Sequence, residues 1–366
     1  MVANRGPLAG IRIVEIDAIG PVPLAATLLA DMGADLVRVA RPPSAGPAAW
    51  DDVGGAILHR GRTVTFLNLK DPDDRDALLA LIDVADGLIE GFRPGVMERL
   101  GIGPDVCLAR NPRLVYGRMT GWGQSGPLAM RAGHDINYIS LTGVLHAIGD
   151  GASPPPVPLN MVGDYGGGAM FLIAGMLAGI LSAKRTGEGQ VVDACITDGV
   201  AALMGLFYAW QPSGLWTDAP ASNLLDGAAP FYRCYACADG GHVAVGSLEP
   251  QFFAQLVSGL GLADRGYDQN DRTGWPAMQA DFEAVFRTRT RDEWAARFFD
   301  TDACVTPVLS MAEAPGHPHN ASRKSFVEQD GIVQPAPAPR FGGEQGAIGA
   351  PVPVAVADAI ERWRAR

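Results

Sequence analysis

The chain has 366 residues, 48% hydrophobic and 19% charged, which is enough apolar material for a sizeable core and unlike the composition of a disordered chain. Its net charge of −11 and pI near 5.0 exclude a general binder of nucleic acid or of anionic membranes. Five scattered cysteines exclude a disulfide framework. With no secretion signal visible at the start and no apolar segment of roughly 20 residues, we expect a cytoplasmic protein without a membrane span.

The first half of the chain alternates predicted strands and helices. Short apolar runs bounded by Gly, Pro or Asp predict strands at 11–16, 36–40, 63–69, 88–90 and 114–119. Helical spacing of apolar residues predicts the intervening helices at 24–32, 73–84 and 104–110. Because such alternation builds right-handed parallel βαβ units, the pattern predicts a doubly wound α/β layer that binds its ligand beyond the carboxyl ends of the strands.

Three basic residues lie near predicted strand ends, namely Arg41, Lys70 and Arg93. Together they are suited to a phosphate or nucleotide clamp, and ordinary solvated charge is the alternative. Asp17–Pro21, which follows the first strand, lacks the G-x-G-x-x-G pattern, and this argues against a dinucleotide site. The sequence alone therefore leaves the clamp and the solvated face both open.

The second half begins with an apolar stretch at 169–185, which we interpret as a buried helix. A strand at 190–194 and a helix at 198–210 then follow, and residues 211–226 are interpreted as a linker. A second unit starts near Ala228. Strands are predicted at 231–236 and 242–246, joined by a Gly-rich turn at 239–241, and helices are predicted to begin at 249–250 and 290–293. Cys234-x-x-Cys237 resembles a redox or zinc pair, but without a second pair we interpret it as part of a strand with small buried side chains.

Three ionisable residues are candidates for chemistry. His134 lies in a loop, Asp164 comes just before Gly166–Gly168, and Glu249 precedes a predicted helix. Taken singly, each has a structural alternative: hydrogen bonding for the histidine and helix capping for the two acids. Taken together, they suit proton transfer at the carbon next to a carbonyl, with His134 and Asp164 as opposite bases and Glu249 orienting the imidazole. The glycines after Asp164 would let the backbone come close to a ligand.

Five segments, in the expected order over roughly residues 7–341, resemble the α-methylacyl-CoA racemases of the family III CoA-transferase superfamily. They are Gly133–Tyr138, Gly163–Gly168, Leu225–Gly227, Leu248–Phe252 and Asp302–Val308. The resemblance implies an α/β protein with the family III CoA-transferase fold, in which a large Rossmann-like domain and a small α/β domain form an interlocked homodimer. The implied boundaries are 1–194 for the large domain, 195–227 for a linker, 228–320 for the small domain and 321–366 for a C-terminal segment that returns to the large domain.

The resemblance also implies the reaction and the site. The substrate would be a 2-methyl-branched acyl-CoA, with no separate cofactor and no metal. His134 and Asp164 would be the two bases, and Glu249 of the partner subunit would pair with His134. The residues implied to bind CoA and substrate are Arg41, Leu67, Asn68, Leu69, Lys70, Arg93, Gly133, Asp135, Ile136, Asn137 and Tyr138.

Some positions depart from the pattern of the racemases that the chain resembles. Those relatives often carry Asp where this chain has Ala40 and Asn68, and Gly where it has Ala228. These departures bear on the expected acyl pocket and on the adenine end of CoA, and they leave the three ionisable candidates unchanged.

Three other functions compete with racemisation. A CoA-transferase of the same superfamily would use Asp164 as a nucleophile that forms an anhydride and then a thioester. Such enzymes do not need the His134–Glu249 pair, so its presence favours racemisation. An acyl-CoA-binding protein without catalysis would not need three ionisable residues in matching contexts, and a nicotinamide dehydrogenase would need the glycine fingerprint that is missing.

Overall fold

The computed structural model describes residues 6–42, 54–344, 346 and 348–365, and the chain folds into two compact units. The first covers Met1–Thr142, Pro158–Met204 and Lys324–Arg366, and the second covers Gly143–Val157 and Gly205–Arg323. The units differ from the predicted boundaries in several places. Residues 195–204 group with the first unit, whereas residues 143–157, 205–227 and 321–323 group with the second.

The elements follow the predicted alternation closely. In chain order the described strands are β1 (Arg12–Ile16), β2 (Asp35–Ala40), β3 (Arg62–Phe66), β4 (Gly87–Glu90), β5 (Val115–Thr120), β6 (Gln190–Cys195), β7 (Tyr232–Ala236), β8 (His242–Gly246), β9 (Val305–Pro307), β10 (Phe326–Gln329), β11 (Ile332–Pro335) and β12 (Val352–Pro353). The described α-helices are α1 (Pro21–Asp31), α2 (Gly55–Leu58), α3 (Pro72–Ile82), α4 (Val96–Arg99), α5 (Pro104–Arg110), α6 (Asp135–Ser140), α7 (Val144–Ala147), α8 (Met170–Thr186), α9 (Ile196–Leu203), α10 (Gly205–Trp210), α11 (Pro250–Gly259), α12 (Trp275–Phe286), α13 (Arg291–Phe298), α14 (Pro318–Arg323) and α15 (Val356–Arg364). A π-helix over Met161–Ala169 runs directly into α8.

Within the described part of the first unit, seven strands form a parallel sheet in the order β12-β3-β2-β1-β4-β5-β6. Ile13 of β1 faces Leu36 of β2 on one side and Gly87 of β4 on the other. The order reverses beside β1, which is the switch point of a doubly wound sheet. The predicted Rossmann-like layer is therefore confirmed, and its strands all end at one edge.

The predicted buried helix is α8. Together with the π-helix it forms a 26-residue helical segment, Met161–Thr186, that is long and apolar enough by composition to cross a bilayer. Half of its most apolar window is buried, however, and α8 packs on β5 and β6. Leu172, Met176 and Ile180 are buried on the side of α8 that forms this contact. We therefore interpret the segment as a core helix of the first unit.

The glycines after Asp164 serve packing within the protein. A Cβ atom placed on Gly167 would lie 2.8 Å from the backbone nitrogen of Val200, and one on Gly168 would lie 3.1 Å from the Ile196 side chain. Both neighbours belong to α9, which packs closely on the π-helix. At these two positions the prediction of a ligand approach was wrong, because the close neighbour is another helix. The predicted single helix at 198–210 was also wrong, since α9 ends at Leu203 and α10 begins at Gly205.

The C-terminal segment packs on the first unit. β12 pairs in parallel with β3, and Trp363 of α15 is fully buried in the core beside α3. Arg60 donates to the Gln334 side-chain oxygen at 2.9 Å and to the Pro335 carbonyl at 2.7 Å. These interactions tie residues distant in sequence to the edge of the large sheet.

The second unit contains the antiparallel sheet β7-β8-β9. Its core is rich in aromatic residues, among them Phe282, Phe286 and Trp294. The β7–β8 hairpin is confirmed. Cys234 lies on β7, but its side chain is exposed rather than buried, and the buried Cys237 follows the end of the strand. The capping box at the start of α13 is confirmed as well, because the Thr290 N–H donates to Glu293 at 2.8 Å and the Glu293 N–H donates to Thr290 at 3.3 Å.

Candidate functional site

Three exposed cations lie at the carboxyl edge of the large sheet, and we call Arg41, Lys70 and Arg93 the basic edge. Arg41 follows β2 directly, while Lys70 and Arg93 lie a few residues beyond β3 and β4. Because these strands run parallel in one sheet, all three residues come to the same edge. Exposed cations at this edge are compatible both with the clamp and with ordinary solvated charge, so the clamp stays a prediction.

A buried carboxylate forms a hydrogen bond with the backbone of the loop that carries Arg93. Glu90, at the end of β4, accepts the Phe92 N–H at 2.7 Å and the Arg118 guanidinium at 3.1 Å. Burial raises the pKa of Glu90 to about 7, against the opposing effects of the Phe92 N–H and of Arg118. These two hydrogen bonds fix the backbone one residue before Arg93.

The residues between β3 and α3 differ in what they offer a ligand. The Leu67 side chain is buried in the core and its N–H donates to the Ala40 carbonyl, so its side chain is not available for binding CoA. The side chains of Asn68 and Lys70 are exposed, and Leu69 is half-buried. The Asn68 oxygen accepts the Lys70 N–H at 3.2 Å, which shapes the turn that presents the lysine.

The second part of the site is the place where α6 meets the π-helix, and we call His134, Asp135 and Asp164 the α6–π junction. His134 is the residue before α6, in extended conformation, and its side chain is exposed. The Asn137 side-chain oxygen accepts the His134 N–H at 3.1 Å and thereby caps the helix start. Ile136 is exposed on the same turn. The local sequence thus forms a short capped helix that presents the imidazole to solvent.

Asp164 lies in the first turn of the π-helix, whose N-cap is Asn160, so the alternative of Asp164 as a plain N-cap was wrong. Its N–H donates to the Asp135 carboxylate at 2.6 Å, and its own carboxylate accepts from the Asn160 amide at 3.4 Å. Burial raises the pKa of Asp164 above its ordinary value. The Asn160 hydrogen bond and the His134 ring lower that pKa, and the Asp135 charge raises it further. The half-buried carboxyl is thereby tuned towards taking up a proton.

Tyr138 connects the junction with the basic edge. Its hydroxyl donates to the Gly133 carbonyl, and its ring meets the Trp122 ring edge to face at 4.8 Å. Burial raises the pKa of Tyr138 to about 12, with Asp164 adding to the rise and Arg93 opposing it. Asp164 and Arg93 therefore both act on one phenol, which brings the two parts of the site into electrostatic range of each other.

Glu249 belongs to the second unit and stands at the N-cap of α11. Within the described residues its side chain makes no capping hydrogen bond, and the cap is formed by its backbone carbonyl, which accepts from Phe252 and Phe253. The carboxylate is exposed, and its charge raises the pKa of the nearby Cys304 thiol, although burial is the larger cause. The helix-cap alternative therefore does not account for this carboxylate.

Sequence reasoning missed three features of the junction. The π-helix, the hydrogen bond from Asn160 to Asp164 and the acceptor role of the Asp135 carboxylate were not expected. The sequence carried one usable signal, because the i, i+4 spacing of Asn160 and Asp164 places their side chains on one helical face. The Asp135 contact joins residues 29 positions apart and has no local signature.

Comparisons with known proteins match most of the chain. The family described as CoA-transferase family III matches residues 8–358. The chain is 44% identical over 336 residues to the human alpha-methylacyl-CoA racemase and 43% identical over 333 residues to the mouse protein of that name, covering 91% of this chain and 86% and 85% of theirs. A solved structure of a CAIB/BAIF family protein from Brucella suis superposes with a TM-score of 0.80 at 22% identity, covering 98% of this chain and 99% of that one.

Proposed function

The chain belongs to CoA-transferase family III, and from this membership we propose that it is an isomerase that interconverts (R)- and (S)-2-methylacyl-CoA thioesters. The observation that carries the proposal is the α6–π junction, where Asp135, the residue after His134, accepts the Asp164 N–H at 2.6 Å and the His134 ring lowers the pKa of Asp164. The likeness to two proteins named alpha-methylacyl-CoA racemase supports the choice of this reaction within the family. Both enantiomers share one enolate, so one pair of bases suffices for both directions.

In the proposed reaction one base removes the α-proton, and the thioester becomes an enolate. The opposite base then delivers a proton to the other face of the carbon, which inverts the centre. An α-proton of a thioester is weakly acidic, so a base with a pKa above that of an ordinary carboxyl matches the task better. Burial gives Asp164 such a pKa. We assign the backbone N–H of Asp135 as the donor to the enolate oxygen.

The CoA portion is proposed to lie on the basic edge. Arg41, Lys70 and Arg93 supply positive charge for its phosphates, and guanidinium groups suit phosphate oxygens because they form paired hydrogen bonds. The turn 133–138 would hold the thioester end, since it carries His134 and the charge of Arg93 acts on the pKa of its Tyr138. The acyl chain would extend away from these charges.

Glu249 is proposed to complete the site from the partner subunit of a homodimer. Its exposed carboxylate, which is not used for capping, would accept a hydrogen bond from the His134 ring and stabilise the charged imidazole. The homodimer and a cytoplasmic location stay predictions. The proposed chemistry uses side chains and the substrate's own CoA, without a further cofactor.

The decisive experiment is isotope exchange. The protein is incubated in deuterated water with one enantiomer of a 2-methylacyl-CoA, and α-deuterium and optical activity are followed together. We expect deuterium to enter the α-position while the optical activity of the 2-methyl acid released from the thioester falls to near zero. An unlabelled product with retained optical activity contradicts the racemase proposal.

A CoA-transferase is the second candidate, because the family description names that reaction and Asp164 is a carboxylate suited to it. In that case CoA would pass from one acid to another, and the acyl group on Asp164 would be an anhydride. Hydroxylamine would trap this activated carboxyl as a hydroxamate detectable by mass spectrometry. We expect no trapping at Asp164 in the presence of a 2-methylacyl-CoA, and trapping together with CoA transfer would decide for the transferase.

A further inference from the structure

The side chain of Asp135 has a place in the site that the proposed reaction does not yet use. Only 6% of the residue is exposed, and its Oδ2 atom accepts the Asp164 N–H at 2.6 Å. The preceding residue is His134, so this single carboxylate joins the segment that carries one proposed base to the backbone of the other. A buried carboxylate is costly unless its environment stabilises the charge, and the backbone donors of the π-helix do so here.

The fit between this carboxylate and the π-helix leaves no spare room. A Cβ atom on Gly163 would lie 2.5 Å from Asp135 Oδ2 and 3.0 Å from the Ile139 side chain. The carboxylate therefore rests directly on the π-helix backbone, and only a residue without a side chain fits beneath it. Its second oxygen, Oδ1, is buried and has no hydrogen-bond partner within the described part of the chain. A buried carboxylate with one unpaired oxygen stabilises the fold less than a carboxylate whose two oxygens are both hydrogen-bonded. The position of Asp135 is therefore better explained by a role in the site than by stability.

We propose that Asp135 is the positioning residue of the site, whose carboxylate locks the start of α6 onto the first turn of the π-helix and so fixes the distance between His134 and Asp164. The inference rests on the proposed function for its catalytic meaning, and on the hydrogen bond and the Gly163 contact for its geometry. Two bases on opposite faces of one carbon must keep their separation within a fraction of an ångström, and a displacement of about 1 Å can cost roughly a hundredfold in rate.

The same carboxylate also sets a charge beside Asp164. The negative charge of Asp135 raises the pKa of Asp164, in the same direction as burial, while His134 lowers it. Burial also raises the pKa of Asp135 itself, against the Asp164 and Gly163 N–H groups that lower it. Removing the Asp135 charge therefore lowers the pKa of Asp164. In the direction in which Asp164 removes the α-proton, the active form carries an ionised Asp164, so the acid limb of kcat/KM for that enantiomer then moves to lower pH.

The test uses Asp135→Asn, Asp135→Ala and a double variant with Asp164→Ala. Asparagine keeps an oxygen for the Asp164 N–H and loses only the charge, whereas alanine loses both. Asp105→Asn is the matched control, because Asp105 is also in the first turn of a helix but is exposed. Exchange into the substrate is measured against pH for each variant, and circular dichroism and CoA affinity verify that each has folded.

We expect Asp135→Ala to lower kcat at least about tenfold, and Asp135→Asn to lose less while its acid limb shifts to lower pH. The variant with both Asp135→Ala and Asp164→Ala should be no slower than Asp164→Ala alone, because a residue that acts through Asp164 has no effect once that group is gone. The control should behave as the parent does. Additive losses in the double variant, or an unshifted acid limb in Asp135→Asn, overturn the inference.

A readout without catalysis separates this inference from the proposed function. The Asp164 carboxyl is titrated by NMR in protein labelled with ¹³C-aspartate, with the signal assigned from Asp164→Asn. A lower pKa in Asp135→Asn supports the link even if the parent shows no exchange, in which case the racemase proposal alone fails. Exchange by the parent together with an unchanged Asp164 titration removes the positioning role and leaves the racemase intact.

Discussion

The basic edge and the α6–π junction both belong to the first unit, yet they expose their charges differently. Arg41, Lys70 and Arg93 extend into solvent from loops at the ends of neighbouring strands. Asp135 and Asp164 are withdrawn from solvent and hydrogen-bonded to backbone or amide groups. Solvation leaves the first set open to screening by salt, whereas partial burial changes the proton affinity of the second.

This difference indicates that ligand binding and proton transfer are assigned to separate regions of the first unit. A sheet edge gives charge without desolvation, which suits the reversible capture of a phosphorylated ligand. A helix junction gives desolvation together with fixed donors, which suits proton transfer. Tyr138 lies under the influence of both, since Asp164 and Arg93 shift its pKa in opposite directions. If the division holds, substitutions at the junction lower kcat and those at the edge weaken binding.

The largest effect is expected from Asp164→Asn, which keeps the shape of the side chain and removes the base. We expect kcat for exchange to fall by about 10²–10⁴, the usual contribution of a general base, with CoA affinity near that of the parent. Asp150→Asn is the control, because Asp150 is an exposed carboxylate that accepts the Ala152 and Ser153 N–H groups. A variant lacking Asp164 that exchanges as fast as the parent would remove the two-base assignment.

A smaller loss is expected from Gly163→Ala, which tests the junction without touching an ionisable group. The added methyl would lie 2.5 Å from the Asp135 carboxylate, so the carboxylate or the π-helix must move. We expect about a tenfold loss in kcat, and a free energy of unfolding lower by about 1–3 kcal/mol because the site is overpacked.

Quenched exchange assays and urea unfolding measure these two effects for Gly163→Ala. Gly205→Ala is the matched control, since a Cβ atom there meets nothing within 4 Å among the described residues. Parental kcat in Gly163→Ala would show that the contact between glycine and carboxylate does not determine the geometry of the bases.

Arg93→Ala probes the basic edge and should act on binding. Loss of one charge-assisted hydrogen bond to phosphate corresponds to roughly 1.5 kcal/mol, so we expect CoA to bind about tenfold more weakly by calorimetry while kcat at saturation changes little. Arg185→Ala serves as the control, because Arg185 is exposed in the last turn of α8, before the amino end of β6. If CoA bound equally weakly to both variants, the basic edge would act only through the net charge of the protein.

Salt should give the smallest effect and separates the two regions within the parent protein. The Debye length falls from about 10 Å at 0.1 M to about 3 Å at 1 M ionic strength, which screens exposed charges more than buried ones. We expect the Kd for CoA to rise several-fold over this range while kcat at saturating substrate stays nearly constant. A parallel fall of kcat would show that the two carboxylates of the junction are as open to solvent as the edge.

Much of the first unit was predictable because its signals are local. Apolar runs ended by Gly, Asp or Pro gave β1, β2 and β4 to within a residue or two, since a buried parallel strand needs little more than a short apolar segment. The helical spacing of 73–84 predicted α3, and the structure adds that Asp71 caps it. His134 and Asp164 were identified by residue type and motif, whereas the effect of the His134 ring on the pKa of Asp164 depends on the fold.

Prediction failed where a residue's partner is distant in the sequence. Gly167 resembled a residue that makes room for a ligand, but its neighbour is Val200 of α9. Residues 195–204 resembled the start of a linker, yet α9 packs on the π-helix and groups with the first unit. In both cases the local sequence was compatible with a solvent-exposed or ligand-facing position and with a buried one. Only the packing of α9 on the π-helix distinguishes them.

By itself the sequence determined the parallel α/β layer, the cations at its strand ends and the residue types available for proton transfer. These follow from the spacing of apolar residues and from the Gly, Pro and Asp residues that end helices and strands, and both signals extend over only a few residues. The tertiary structure alone decided that the Asp135 carboxylate meets the Asp164 N–H, 29 positions away, and that burial raises the pKa of both acids. Desolvation depends on every atom that excludes water from a group, and those atoms come from the whole fold rather than from the neighbouring residues.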